Sequence, residues 1–310
     1  IWKFLESPAT GEDYALLKTK KMQGLERSLE SLCSLLKESH NMRGKWFPLK
    51  KIDKGGQGSF YEAIHSYPAE IYAMRKIEIH KDFSPSDWFS LINELKILMI
   101  ILESDKPSLL RIYEIELKHE EYCAIYMEYG SGDLSAYNEY RRSNKKEWTE
   151  EELFSIASAI HNQLTELASM NIYHRDLKPT NIIITPAGEI KLIDFGLASE
   201  SKDNVGKYWR GTEGFDAPEM KKERSYNLHK VDLYALGKTI EFLIQWSTKE
   251  YPKIRQLIKV LTSNKPEERK FEEQFKTVHK LIKDEGFNNY QLQKIAQTDG
   301  DKNYIVLSLD

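Results

Sequence analysis

One stretch constrains the fold of this chain more than any other: Tyr173-His174-Arg175-Asp176-Leu177-Lys178-Pro179-Thr180-Asn181, with Asp194-Phe195-Gly196 a short distance further on. Between the two lie Ile182–Thr185 and Glu189–Ile193, which read as a strand hairpin. Two carboxylates, one amide and one lysine therefore sit on two short loops flanking that hairpin. Oxygen ligands of this kind hold a hard divalent cation, a carboxylate can orient an attacking hydroxyl, and a lysine can offset anionic charge. Phosphoryl transfer requires that set together. Ordinary polar turn residues would have no reason to adopt this order and spacing.

The length of 310 residues suits one bilobed domain or two small ones. Apolar residues at 40% allow a sizeable core. Lys plus Arg number 45 against 48 Asp plus Glu, a formal charge of −3, so no nucleic-acid or membrane surface is expected. The two cysteines, Cys33 and Cys123, are far apart and outside any C-x-x-C pattern. That argues against a disulfide framework or zinc site and for a reducing, intracellular setting, cytoplasmic or nuclear. The longest apolar run, around Ile97–Leu102, is too short for a membrane span and reads as core. The sequence opens on Ile1 and reads as a fragment, so a missing targeting peptide excludes nothing.

Residues 1–11 are loop-like. From Glu12 to His40 the pattern is helical, with Leu25, Leu29, Leu32 and Leu36 on one stripe and Gly44 suited to a stop. The stripe either packs on its own domain or docks a protein partner or a second copy. Trp46–Ile79 reads as strands interrupted at Lys54-Gly55-Gly56-Gln57-Gly58. Residues 86–103 read as a buried helix, and Leu110–Leu117 and Tyr122–Tyr129 as two more strands. Beyond Gly132 helices dominate, most plainly over Thr149–Met170, where Thr149 and Glu152 form a capping box. Strands first and helices later predict an α+β fold, a small β-rich lobe followed by a larger α-helical lobe, hinged at Gly130-Ser131-Gly132. The expected division is an extension with an extra N-terminal helix (1–44), the small lobe (45–130), the large lobe (131–283) and a tail (284–310). Residues 303–309 of the tail alternate weakly, like a strand.

Over about Trp46–Ile282 the chain resembles the eukaryotic protein kinases of the serine/threonine type. The 173–181 segment is similar to their catalytic loop and Asp194-Phe195-Gly196 to their metal-binding loop. The resemblance implies a bilobed kinase fold, ATP and Mg²⁺ as cofactors, and transfer of the γ-phosphoryl group to Ser/Thr of a protein substrate. It implies Asp176 as catalytic base, Asn181 and Asp194 as Mg²⁺ ligands, and Lys178 as the γ-phosphate contact. Ile52–Tyr61 looks like the glycine-rich loop, where Gly55 and Gly58 let backbone amides approach phosphates. Tyr72-Ala73-Met74-Arg75-Lys76-Ile77 resembles the strand that carries the ATP-site lysine, with Glu94 as its ion-pair partner. Met127-Glu128-Tyr129-Gly130 resembles the gatekeeper and hinge. Phe60, Ala73 and Ile183 fall at further nucleotide-binding positions, and Asp133 at a ribose contact. Gly211-Thr212 and Ala217-Pro218-Glu219 resemble the end of the activation segment. Asp232 matches a buried aspartate that braces the catalytic loop, and Arg269 the partner of Glu219. Lys178 with Thr212 is the serine/threonine pattern. Arg175 implies regulation by a phosphate in the activation segment, for which Ser199, Ser201 and Tyr208 are candidates.

The departures from the family pattern fall on the nucleotide side. Asp53 stands where the first loop glycine belongs, Phe60 where a valine belongs, and Arg75 where the lysine belongs. A second register takes Gly56 and Gly58 as the loop glycines and puts Phe60 at the loop tip. Arginine is a planar fork and lysine a compact point charge, so Arg75 is expected to shift the phosphates. Strand alternation points Lys76 to the opposite face unless a bulge rotates it. The interval from Asp232 to Arg269 is short for the family, which predicts a short or missing helix where substrates or partners often dock. The leading expectation is an active kinase in which Glu94 positions Arg75. One alternative is a pseudokinase scaffold that binds nucleotide or a partner. Another is a small-molecule kinase, against which the 211–219 segment, a peptide platform, counts.

Overall fold

The first part of the described chain is rich in aromatic and branched residues, and it builds a sheet whose central strands are buried almost continuously. The computed structural model describes residues 46–55, 58–65, 71–79, 85–118, 121–275 and 286–287. The helix expected over 12–40 and the strand expected over 303–309 lie outside them. The strands are β1 (Trp46–Gly55), β2 (Gly58–His65), β3 (Ile71–Glu78), β4 (Ile112–Lys118) and β5 (Tyr122–Glu128), ordered β1-β2-β3-β5-β4. Strand β3 is central, and Tyr72, Ala73, Met74 and Arg75 are all buried. Trp46 fixes the start of β1: it stacks on Tyr126 at 4.3 Å, and its Nε1 donates to Glu114 at 2.6 Å. Helix α1 (Pro85–Glu103) buries Trp88, Leu91, Ile92, Leu95, Ile97, Leu98 and Ile101. A helix that is apolar on most of its circumference belongs in a core.

The chain divides into two compact units, one comprising Ile1–Asp105 with Arg111–Met127, the other Lys106–Leu110 with Glu128–Asp310. The division falls at Met127/Glu128, inside the Met127–Gly130 segment and ahead of Gly130-Ser131-Gly132. Lys106–Leu110 belongs to the second unit, where the buried Lys191 donates through Nζ to the Pro107 carbonyl at 2.6 Å.

The second unit is built on helices α2 (Leu134–Ser143), α3 (Glu150–Ser169), α4 (Glu219–Lys222), α5 (Leu228–Ile244) and α6 (Pro252–Leu261). Helix α3 starts at the predicted capping box, in which Thr149 Oγ1 accepts from Glu152 N and Glu152 Oε2 accepts from Thr149 N. It buries Leu153, Ile156, Ile160, Leu164 and Leu167. Gln163 on the same helix clamps the hairpin: Nε2 donates to the Ile190 carbonyl at 2.8 Å, and Oε1 accepts from Leu192 N at 3.0 Å. That hairpin is β8 (Ile182–Ile184) and β9 (Ile190–Leu192), and β6 (Gly132–Asp133) pairs on its outer edge. Phe287, inside the predicted tail, packs on Tyr137 and Tyr140 and is buried.

Candidate active site

The catalytic-loop residues owe their position to a buried aspartate on α5. After β7 (Ile172–Tyr173), Asp232 accepts from His174 N through Oδ2 at 2.9 Å and from Arg175 N through Oδ1 at 2.8 Å. Arg175 has φ 65°, a left-handed conformation costing about 1–3 kcal/mol for a side-chain-bearing residue. The two hydrogen bonds that the His174 and Arg175 amides donate to Asp232 hold it there. Burial pushes the Asp232 carboxyl above its ordinary range, while the His174 ring and the two amides pull against that rise.

The turn Pro179–Asn181 then folds the loop back on itself. Lys178 Nζ lies 2.9 Å from Asp176 Oδ2 and 2.7 Å from Thr212 Oγ1. Thr212 Oγ1 donates to Asp176 Oδ1 at 2.7 Å, and Asn181 Nδ2 donates to the Asp176 carbonyl at 2.8 Å and to Oδ2 at 3.1 Å. Asp176 is thus held on both carboxylate oxygens. The structure brings Asp176, Lys178 and Asn181 together as the sequence suggests, and Thr212, which the sequence pairs with Lys178, also hydrogen-bonds Asp176.

Asp194 follows β9 and also has φ 65°. Its Oδ1 accepts from Gly196 N at 3.3 Å, and the adjoining Phe195 is fully buried beside the His174 ring. Two hard oxygens, Asn181 Oδ1 and Asp194 Oδ2, accept no hydrogen bond among the described residues. That donor set fits a divalent cation. Among the described residues no cluster of three or more His, Cys, Asp or Glu could hold a metal alone. A cation here would take its remaining ligands from phosphate and water, as Mg²⁺ commonly does.

In the second unit, Gly130 lies against Ile183: a Cβ added there would meet Ile183 Cδ1 at 2.9 Å. Asp133, the expected ribose contact, caps α2 by accepting from Ala136 N at 2.8 Å. Glu128 lies 3.9 Å from Lys191 Nζ.

In the first unit, Arg75 Nη1 donates to Glu94, joining β3 to α1, and both side chains are buried. The β2–β3 register runs without a bulge, with Ser59 opposite Lys76 and Phe60 opposite Arg75. Lys76 therefore stays on the other face, over the Tyr122 ring at 4.7 Å and 3.8 Å from Glu78. Phe60 sits within β2, 5.7 Å from the Arg75 guanidinium, rather than at the loop tip of the second register. Asp53 pairs with Phe60 across β1–β2, and Gly55 with Gly58. Gly58 has φ 142°, and a Cβ there would lie 2.7 Å from the Lys76 carbonyl oxygen. Sheet closure alone therefore demands this glycine. Ala73 and Met127 are buried in the same unit.

Residues 47–285 match the model of the protein kinase domain. This chain belongs to the protein kinase superfamily. The bilobed α+β kinase fold follows, and with it phosphoryl transfer to protein substrates using ATP and a divalent metal. Within the kinase domain, Arg175 Nη2 donates to the Tyr208 carbonyl at 2.8 Å and to Tyr226 Oη at 2.9 Å, and Tyr226 Oη donates to the same carbonyl. Sequence reasoning missed Tyr226, Gln163 and Lys191. Each acts by reaching a segment far away in the chain, and none carries a local signal. No helix among the described residues is long and apolar enough to cross a membrane.

Proposed function

We propose that this kinase domain transfers the γ-phosphoryl group of ATP to serine or threonine hydroxyls of proteins. The observation that carries the proposal is the Asp176–Lys178–Thr212 triangle. A substrate hydroxyl donates to Asp176, which orients the oxygen for attack and takes its proton as the bond to phosphorus forms. Lys178 offsets the charge that builds on the transferred group. Bound Mg-ATP would supply the phosphoryl group, its metal held by Asn181 and Asp194. Arg75, held by Glu94, replaces the usual lysine at the phosphates, and Phe60, Ala73, Met127, Glu128, Gly130, Asp133 and Ile183 would serve the nucleotide.

A second reading, a scaffold that binds nucleotide without turnover, draws on one observation: the Arg75 guanidinium is committed to Glu94 and lies near Phe60. The planar fork does not reproduce a lysine ammonium. Thermal denaturation with and without Mg-ATP, and phosphate incorporation into a serine-containing protein, separate the two readings on this chain and on Arg75→Lys. The proposal expects stabilisation and incorporation in both. No stabilisation in either overturns it, and incorporation confined to Arg75→Lys selects the scaffold.

A further inference from the structure

Beside the catalytic segment, the second unit contains a groove of about 670 Å³ that the transfer machinery does not use. Its walls come from the 214–215 turn, the end of α5 and one side of α6. Phe215, Phe242, Ile244 and Ile258 supply the apolar surface. Lys238, Arg255 and Lys259 supply positive charge, and Glu241 the one carboxylate. Lys238 is paired with Glu241. Arg255 and Lys259 are exposed and have no carboxylate partner among the described residues.

Helices α5 and α6, which form two of its walls, are joined by a short connection, Gln245–Tyr251, with no helix in it. The same shortness shows in the sequence as the brief Asp232–Arg269 interval. Gly214, with φ 91°, would meet nothing with an added Cβ, so the mouth beside the catalytic segment is open. Phe215 also lines the small cavity bounded by Asp176 and Thr212. One wall residue of the groove thus also borders the cavity beside Asp176.

We infer that this groove docks an acidic segment of the protein substrate, carrying an aromatic or branched apolar anchor. Two cations with no carboxylate partner among the described residues select the acidic groups, and the Phe215/Phe242/Ile258 surface takes the anchor. The link from docking to transfer rests on the function proposed above; the binding does not.

The probe is a fluorescein-labelled peptide of about 12 residues with Glu and Asp around a central Phe-Leu pair, compared with its Lys-substituted analogue. Fluorescence anisotropy should show the acidic peptide binding at least about tenfold tighter, with affinity falling as salt rises. Arg255→Glu with Lys259→Glu should remove at least about tenfold of that affinity while the thermal midpoint holds. Fusing the acidic segment to a serine-containing acceptor should lower KM without changing kcat, and only when both cations are present. Peptide binding without any transfer would overturn the kinase proposal and uphold the groove. Equal binding of the two peptides, or an unaffected double variant, would overturn the groove. Sedimentation showing self-association that the double variant abolishes, with no peptide binding, would assign the face to a second copy and also overturn it.

Discussion

Asp176 acquires its geometry from residues scattered along the chain. Asn181 lies in its own turn, Thr212 beyond the 194–196 loop, and Asp232 on a distant helix. An isolated carboxylate on a loop would sample many rotamers. Here both oxygens are fixed, and the backbone before it is locked in a left-handed turn. Asp176→Asn keeps the shape but loses the proton acceptor, so transfer should fall by about 10²–10⁴-fold while Mg-ATP still raises the thermal midpoint. Steady-state phosphorylation checks this, and a loss below about threefold would remove Asp176 from the role of base. Arg75 is the contrasting residue. Its spacing to Glu94 was readable, whereas its burial and its packing beside Phe60 came only with the fold.

Among the elements, the start of α3 ties local chemistry to packing. Glu152 closes the capping box and also accepts from Arg141 of α2, at 2.7 Å through Oε1 and 3.1 Å through Oε2. Burial would raise the Glu152 carboxyl, but the hydrogen bonds from Arg141 and Thr149 outweigh it and hold the group below its ordinary 4.5. A lowered carboxylate stabilises the fold above pH 4.5, and that contribution is lost as pH falls through the folded-state value. Glu152→Gln should therefore lower the thermal midpoint at neutral pH, with the gap to the parent closing below pH 4.5. A gap independent of pH would show that the charge contributes nothing. Between α5 and α6, Gly237 permits a close approach, since an added Cβ would lie 2.8 Å from both Leu261 Cβ and Thr262 Cγ2. Gly237→Ala gains about 1 kcal/mol of helix propensity but overpacks this seam at about 1–3 kcal/mol, and should cost up to about 2 kcal/mol net by urea denaturation.

At the scale of the molecule, Arg269 joins the end of the activation segment to the helical core. It is fully buried, forks onto both Glu219 oxygens, donates through Nε to the Ser263 carbonyl at 2.8 Å, and reaches the Lys230 carbonyl at 3.1 Å. Removing one member strands a buried charge. Arg269→Ala should cost about 3–5 kcal/mol. Replacing both partners with apolar residues, Arg269→Leu with Glu219→Leu, should recover much of that loss. Chemical denaturation of the two variants checks this, and an equal loss in both would show that stability there does not depend on the unpaired charge.

Local patterns were open to reading along the chain. The 173–181 and 194–196 loops, the hairpin between them, the capping box at Thr149 and the order of strands before helices each depend on residues close in sequence. Their backbone periods and turn chemistry show in a single stretch. What the fold alone decided involves partners far apart. The 106–110 segment belongs to the second unit through Lys191, Thr212 completes the Asp176 constellation, Gly58 is demanded by the Lys76 carbonyl, and Lys76 faces away from Arg75. Such contacts depend on how sheets and helices pack, and one sequence read along its length carries no record of that distance. The chemistry of these loops shows in the sequence; the packing behind them determines which side chains hold the loops in place.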